Sequence, residues 1–351
     1  MNIDDIDTPA ILIDLDVMEA NLARAQNYAD KHGFALRPHI KTHRLPAFAK
    51  KQEALGAKGI NCQKLGEAEV MADAGLTDIL VTYNIIGAAK LDRLAALHDR
   101  VRMAVVADNA PVIEGYIARF TDPAHPLDVM VECETGAERN GVQSPEQALE
   151  LARMIDAAPG LRFRGILTYP PAKPKETGEI LMRIKQVIEA AGIKVPVVSS
   201  GGSPAFYSAH ETEGINEYRA GTYIYSDRMQ AAFGMGTLDD CALTVLMTVA
   251  SRPTDTRAVL DGGSKALAAD LCPKPGHGHI VQYPDAVIAK LSEEHAVVDL
   301  SACTDKPKVG DRVQVIPNHV CVVVNLFEKV HLMRGNKVEQ VVEVAARGKS
   351  N

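Results

Sequence analysis

Residues 59–108 read GINCQKLGEAEVMADAGLTDILVTYNIIGAAKLDRLAALHDRVRMAVVAD, and their rhythm decides the architecture. Three short apolar runs, 59–63, 78–83 and 101–108, are separated by EAEVMADAG (67–75) and KLDRLAALHDR (90–100). The runs have the length and content of buried strands. The longer stretches repeat apolar residues every three to four positions, as one face of a helix does. Strands buried on both faces and alternating with helices build a parallel sheet. The theme continues outward on both sides. ALRPHIK (35–41) precedes it, and LDVMVECE (127–134), LRFRGILTY (161–169), VPVVSSGG (195–202) and NEYRAGTYIY (216–225) follow. PEQALELARMIDAA and EILMRIKQVIEAAG are among the spacers, and Gly or Pro usually marks the joints. Eight such units in roughly 200 residues fit a closed (β/α)8 barrel of the TIM type better than an open doubly wound sheet.

Beyond residue 235 the pattern changes. ALTVLMTVASRP, TRAVLDGG, DRVQVIPNH, VCVVVNLF and KVHLMRG are β-type runs divided by Gly, Pro and Asp, with no strong helix between them. The opening TPAILIDLD precedes the first barrel helix and is grouped with these runs. The predicted fold is therefore α/β: a (β/α)8 barrel over residues 17–233 and a C-terminal β-rich domain over 234–351 that also takes in residues 1–16. A chain of 351 residues is long enough for two cores. Its 46% hydrophobic and 24% charged residues are those of a soluble globular protein. A net charge of −7, 5% aromatic residues and no Trp argue against a nucleic-acid partner. No apolar run reaches the roughly 18 residues of a membrane span. The acidic start lacks the basic segment of a signal peptide. The six Cys, at 62, 133, 241, 272, 303 and 321, form no CxxC pair, so reduced thiols and a cytoplasmic location are expected.

Lys41 ends the first strand candidate, inside Arg37-Pro-His-Ile-Lys-Thr-His43. The C-terminal ends of barrel strands carry the catalytic groups. An amine withdrawn from water there favours its neutral form, which condenses with an aldehyde cofactor. A solvated surface lysine is the plain alternative. Ser199-Ser-Gly-Gly-Ser203 closes the seventh strand candidate and Gly221-Thr222-Tyr223 the eighth. Barrels commonly bind phosphate at these two loops, where glycine lets backbone N–H groups approach an anion. Gly201, Gly202, Ser203, Gly221, Thr222 and Tyr223 are thus candidate phosphate ligands; a lone Gly-Gly would otherwise be an ordinary turn. Asn318-His-Val-Cys321 falls in a β-type run, so His319 and Cys321 are expected on one face of a strand. Imidazole plus thiolate suits Zn²⁺, whereas the plain reading is a core His beside a core Cys. His277 and His279 of PGHGH are read as lid or pocket residues, and His295 as a candidate for the same mouth.

RPHIKTH (37–43), with GINCQKLGEAEVMADAG (59–75) beyond it, resembles the D-threonine aldolase and D-serine dehydratase family, of the alanine-racemase-like fold of pyridoxal 5′-phosphate (PLP) enzymes. The resemblance continues in order through DTPAILIDLD, VECETGAERNGV, SSGGSPAF, EYRAGTYIYSD, SRPTDTRAVLDGGSKAL, SEEHAVV and VIPNHVCVVVNLF. It implies that Lys41 carries PLP, and that His39, Arg139, Tyr169 and Arg219 bind the cofactor together with the glycine loops. Arg219 stands where alanine racemases set an arginine against the pyridine nitrogen. A permanent guanidinium charge there keeps that nitrogen unprotonated. The resemblance further implies a divalent metal on His319 and Cys321, Zn²⁺ before Mn²⁺ or Mg²⁺, and a head-to-tail homodimer.

The activity so implied is a lyase for D-3-hydroxy amino acids, small-molecule substrates. Cys321 and the Pro170 that follows Tyr169 lean toward dehydratases, which eliminate the β-hydroxyl to give a 2-oxo acid and ammonia. Retro-aldol cleavage to glycine and an aldehyde is the alternative. An amino-acid racemase needs a second base, and Tyr283 is the only tyrosine after residue 235. A non-catalytic PLP carrier normally lacks the β domain.

Overall fold

The computed structural model describes all 351 residues, which divide into two compact units. Ala25–Lys41, Pro46–Gly221 and Lys349–Asn351 form one; Met1–Arg24, Thr42–Leu45 and Thr222–Gly348 form the other. In chain order, β1 (Ala10–Asp14) leads into the long helix α1 (Leu15–His32). Then come β2 (Ala35–Leu36), α2 (Pro46–Leu55), β3 (Ile60–Cys62), α3 (Leu65–Asp73), β4 (Asp78–Val81), α4 (Ala88–His98), β5 (Arg102–Ala107) and α5 (Ala110–Arg119). The series closes with β6 (Leu127–Glu132), α6 (Pro145–Asp156), β7 (Leu161–Leu167), α7 (Pro174–Ala190), β8 (Val197–Gly201) and β9 (Glu217–Arg219).

Strands β2 to β9 form one parallel sheet in the order β2-β9-β8-β7-β6-β5-β4-β3, and a bridge between His39 and Asn61 joins its two ends. Eight parallel strands with their helices make the predicted α/β barrel. All six residues of β6 are buried, the acidic Asp128 and Glu132 along with the apolar Leu127, Val129, Met130 and Val131. Asn109 and Ser144 accept backbone N–H bonds as N-caps of α5 and α6, each worth about 1 kcal/mol. Strand β2 is only two residues long because Pro38 has no N–H to give. The ladder nevertheless continues through Arg37 N and His39 N, each 2.9 Å from a carbonyl oxygen, of Tyr218 and of Ala220.

An ion network ties the starts of these strands. Arg37 donates to Glu217 Oε2 at 2.8 Å and to Asp78 Oδ1 at 2.7 Å. Arg164 lies 3.8 Å from Glu217 and 3.5 Å from Asp128. Arg102 reaches Asp78 at 3.7 Å and Asp128 at 3.4 Å. Asp78 and Glu217 open β4 and β9, at the barrel end that serves stability rather than catalysis.

The second unit contains a nine-stranded mixed sheet. Its later strands are β10 (Leu243–Thr254), β11 (Arg257–Leu260), β12 (Gly278–Ile280), β13 (Val287–Leu291), β14 (Ala296–Asp299), β15 (Arg312–Pro317), β16 (Lys329–Arg334) and β17 (Lys337–Glu343). β1 pairs antiparallel with β10 and parallel with β16. β10 also pairs with β15, and through β11 and β14 the sheet extends to β13. Short helix α8 (Arg228–Ala232) precedes β10, and α9 (Ser264–Leu267) lies between β11 and β12.

One element differs in kind from expectation. VCVVVNL is not a strand but helix α10 (Val320–Leu326). Three of its residues, Val320, Val323 and Val324, are buried, at the spacing of one helical face. Asp227, the N-cap of α8, also accepts the Val320 N–H at 3.2 Å and so satisfies the start of α10. Tertiary burial and this cap override the strand preference of β-branched residues. No helix is long and apolar enough to cross a membrane.

Candidate active site

Lys41 lies in a 3-10 turn, Ile40–Thr42, just past β2 rather than on the strand itself. It is half-buried, not fully buried as expected, although Ile40, Thr42 and His43 around it are wholly enclosed. No salt bridge or side-chain hydrogen bond engages its amine. The turn is pinned from below. The Lys41 N–H donates to His39 Nδ1 at 3.4 Å, and His39 Nε2 lies 3.1 Å from Gln63 Oε1. Acceptance at Nδ1 fixes a neutral ring with its proton on Nε2. Gln63 is held in turn by its own donation to Thr82 O at 3.0 Å.

The glycine loops lie where the sequence placed them. A Cβ on Gly201, which ends β8, would stand 2.8 Å from the Arg219 carbonyl oxygen. Gly202 has φ +124°, and a Cβ there would meet the Tyr169 ring at 3.5 Å. Ser203 opens a 3-10 helix, and its Oγ accepts the Gly221 N–H at 3.4 Å, so the loops after β8 and β9 touch. A glycine cradle with a serine hydroxyl at a helix start suits a phosphate. Thr222 and Tyr223 open the next 3-10 turn, and Tyr223 is buried. The Thr222 hydroxyl lies 3.8 Å from Cys321 Sγ.

Arg219 is buried at the end of β9. Its guanidinium donates to Ser199 Oγ, to Ser200 O at 3.2 Å and to Thr168 O at 2.6 Å. Tyr169, just past β7, is partly exposed, and the Arg139 guanidinium stacks over its ring at 4.5 Å. Arg139 also lies 4.0 Å from Glu132, the last residue of β6. Burial pushes the Glu132 carboxyl up to about 7, against the opposing pull of Arg219 and Arg139.

His319 and Cys321 do come together, but not as strand neighbours. His319 is the N-cap of α10, with extended φ −143° and ψ 104°, and Cys321 is the second helical residue. A side-chain hydrogen bond joins them, and this bond above all raises the His319 ring to about 10 against the effect of burial. A metal arriving here would displace a proton. Asp270 Oδ1 lies 3.0 Å from His319 Nδ1, the carboxylate–imidazole pairing that orients metal-binding histidines. The Thr42 hydroxyl lies 3.2 Å from Cys321 Sγ, and Thr42 is the residue bonded to Lys41. No group of three or more His, Cys, Asp or Glu side chains is arranged to hold a metal ion. The donor types fit Zn²⁺ in an open, two-residue site.

The other histidines fall elsewhere. His279 is not in a lid loop: it sits in β12, paired with Ile316. His277 precedes that strand, and its N–H donates to Ile288 O at 3.0 Å. His295 is exposed at the hairpin tip between β13 and β14. Two residues gave no usable signal in the sequence, Glu132 and Asp270. Asp227 carried a trace, since Asp227-Arg-Met-Gln230 has the form of a helix start.

The barrel, the glycine cradle at the ends of β8 and β9 and the separate mixed sheet define an alanine-racemase-like protein. Residues 13–229 match the family described as "Alanine racemase, N-terminal domain", and residues 242–333 match "Putative serine dehydratase domain". The chain belongs to the D-threonine aldolase and D-serine dehydratase family. It is 31% identical to a D-threonine aldolase of Arthrobacter sp over 98% of this chain and 93% of that one. The crystal structure of D-threonine aldolase from Filomicrobium marinum superposes with a TM-score of 0.91 at 30% identity, covering 99% and 97% of the two chains. D-threo-3-hydroxyaspartate dehydratase from Delftia sp. HT23 does so with a TM-score of 0.88 at 28% identity, covering 97% and 98%. Two variants of that dehydratase carry alanine for a histidine and for the cysteine two positions later, and the cysteine variant is described as metal-free. These relatives bear out the expected family and the expectation of an enzyme.

Proposed function

We propose that the chain is a PLP- and divalent-metal-dependent lyase that removes the β-hydroxyl of D-3-hydroxy amino acids, giving a 2-oxo acid and ammonia. The observation that carries this reading is the His319–Cys321 pair with Asp270 behind it. It repeats the histidine-x-cysteine spacing of the Delftia dehydratase variants. The Lys41 amine, free of hydrogen-bonded partners at the barrel mouth, is the group to carry PLP and then to take the Cα proton as general base. Gly201, Gly202, Ser203, Gly221 and Thr222 hold the phosphate. Tyr169, Arg139, His39 and Arg219 flank the ring, and Tyr223 belongs to the cofactor site. His319 and Cys321 hold the metal, and Asp270 fixes the imidazole. When bound, PLP supplies an electron sink at Cα and the metal a Lewis acid for the β-oxygen. Loss of the Cα proton with the β-hydroxyl as water, then hydrolysis, yields the products. The thiols of all six cysteines are consistent with a cytoplasmic protein, and we propose a homodimer.

Retro-aldol cleavage is the second reading, favoured by the superposition on the Filomicrobium aldolase. A panel of D- and L-serine, D-threonine, D-3-hydroxyaspartate and D-phenylserine, with and without a chelator, separates the two. Ammonia and 2-oxo acid from the D-isomers, lost on chelation, are expected. Glycine and aldehyde without ammonia would establish the aldolase. Turnover unaffected by metal removal would return His319 and Cys321 to a structural role.

A further inference from the structure

Glu132 is a buried carboxylic acid at the mouth end of β6, 3% exposed, and its Oε2 has no hydrogen-bond partner. Its neighbours form a small device around Arg139. The loop bearing that arginine is wound on Glu134, whose carboxylate accepts the N–H groups of Gly136, Ala137 and Arg139. The backbone of Arg139 is thereby fixed, while its side chain remains half in solvent. Three contacts position the guanidinium. Its Nε donates to Asn140 Oδ1 at 2.9 Å, its plane covers the Tyr169 ring at 4.5 Å, and its Nη2 stands 4.0 Å from Glu132 Oε1. Asn140 also hydrogen-bonds Glu132. The 4.0 Å separation is an attraction without a closed hydrogen bond, so the arginine is drawn toward Glu132 but not consumed by it.

We infer that Glu132 is a positioning residue for Arg139, and that it takes up a proton when the carboxylate of an amino-acid ligand engages that arginine. This rests on the lyase reading above, which places such a ligand at this mouth. The charged groups facing Glu132 are Arg219 from β9, Arg139 from its own loop and Asp108 from the end of β5. Ionised, Glu132 competes with a ligand for Arg139. A ligand carboxylate that draws Arg139 away removes one stabilising cation and adds a like charge. Both changes favour the neutral acid. The carboxyl is already balanced near 7 by burial, so a small change in field moves its proton. Linkage is reciprocal: if anion binding takes up a proton, rising pH weakens anion binding.

The holoenzyme tests this by calorimetry in buffers of different ionisation heat at pH 7, with D-alanine and isopropylamine as probes. Neither has a hydroxyl, both bring a primary amine on a branched carbon, and only D-alanine brings a carboxylate. Wild type is expected to take up more protons with D-alanine than with isopropylamine, by at most about half a proton for a group half-titrated at this pH. Glu132→Gln should abolish the difference while both probes still shift the cofactor absorption, and Arg139→Gln should abolish the difference as well. A merely structural role for Glu132 moves no protons. Equal uptake from the two probes in wild type, or a difference that persists in either variant, would overturn the inference. If neither probe shifts the cofactor absorption of wild type, the lyase reading fails and this inference with it.

Discussion

Lys41, Asp270 and Thr42 each carry a distinct consequence at the scale of single residues. Lys41 offers an amine without competing partners, so borohydride should trap the cofactor there. Peptide mapping should recover the adduct on Lys41, and Lys41→Ala should lose the visible band and all turnover. An adduct on another lysine would refute the assignment. Asp270 orients His319 through Nδ1. Asp270→Asn should weaken metal retention by about 10- to 100-fold in chelator competition, with thermal stability little changed. Thr42→Val removes the hydroxyl 3.2 Å from Cys321 Sγ. It should alter the thiolate-to-metal absorption of the Co²⁺-substituted protein, and an unchanged spectrum would leave Thr42 a packing residue.

Among the elements, the barrel strands owe their stability partly to Arg37 and Glu217, whose side chains are 2% and 5% exposed. Burial pushes the Glu217 carboxyl upward. The charges of Arg37 and Arg164, with hydrogen bonds from Arg37 and Ser199, outweigh that and hold it below the usual carboxylate range. A depressed carboxylate stabilises the fold above its unfolded value, about 4.3, and the contribution is lost as pH falls through the folded value. Glu217→Gln strands the buried Arg37 charge and should cost about 3–5 kcal/mol at neutral pH. Urea unfolding across acid pH should show a shallower acid limb than wild type. A loss under 1 kcal/mol would mean that Asp78 and water suffice for Arg37.

The barrel elements were legible because their apolar period switches between strand and helix at almost every joint. α10 was not, since four of its seven residues are Val and their local preference points to a strand. Its helical state depends on Asp227, 93 residues earlier in the chain. Lys41, the glycine loops and the His-x-Cys pair stood out because their residue types are chemically specific. Glu132 and Asp270 did not, because an acidic residue acquires a role only from partners that folding brings to it. Asp270 lies 49 residues from the imidazole it orients.

For the whole molecule, Lys41 and the glycines of the candidate phosphate loops belong to one compact unit and the candidate metal pair to the other, yet the proposed chemistry requires both at one substrate. A head-to-tail homodimer, which repeats one interface twice, is the expected assembly. Sedimentation at assay concentration should give twice the chain mass, and full activity in a monomer would contradict it. The pairing of β1 carries a last consequence, for synthesis. Ile11 lies in register with Val245 on one side and Val330 on the other. On the ribosome this opening strand must wait, unpaired and apolar, until β10 has emerged, and its other edge must wait for β16. The barrel strands can meanwhile pair with near neighbours as they appear. Such a non-local closure is slow and leaves sheet edges exposed to other chains. The nascent protein should therefore lean on holding chaperones through residues 10–14, and yield on expression should respond to charge placed in that strand more than to changes in the barrel helices.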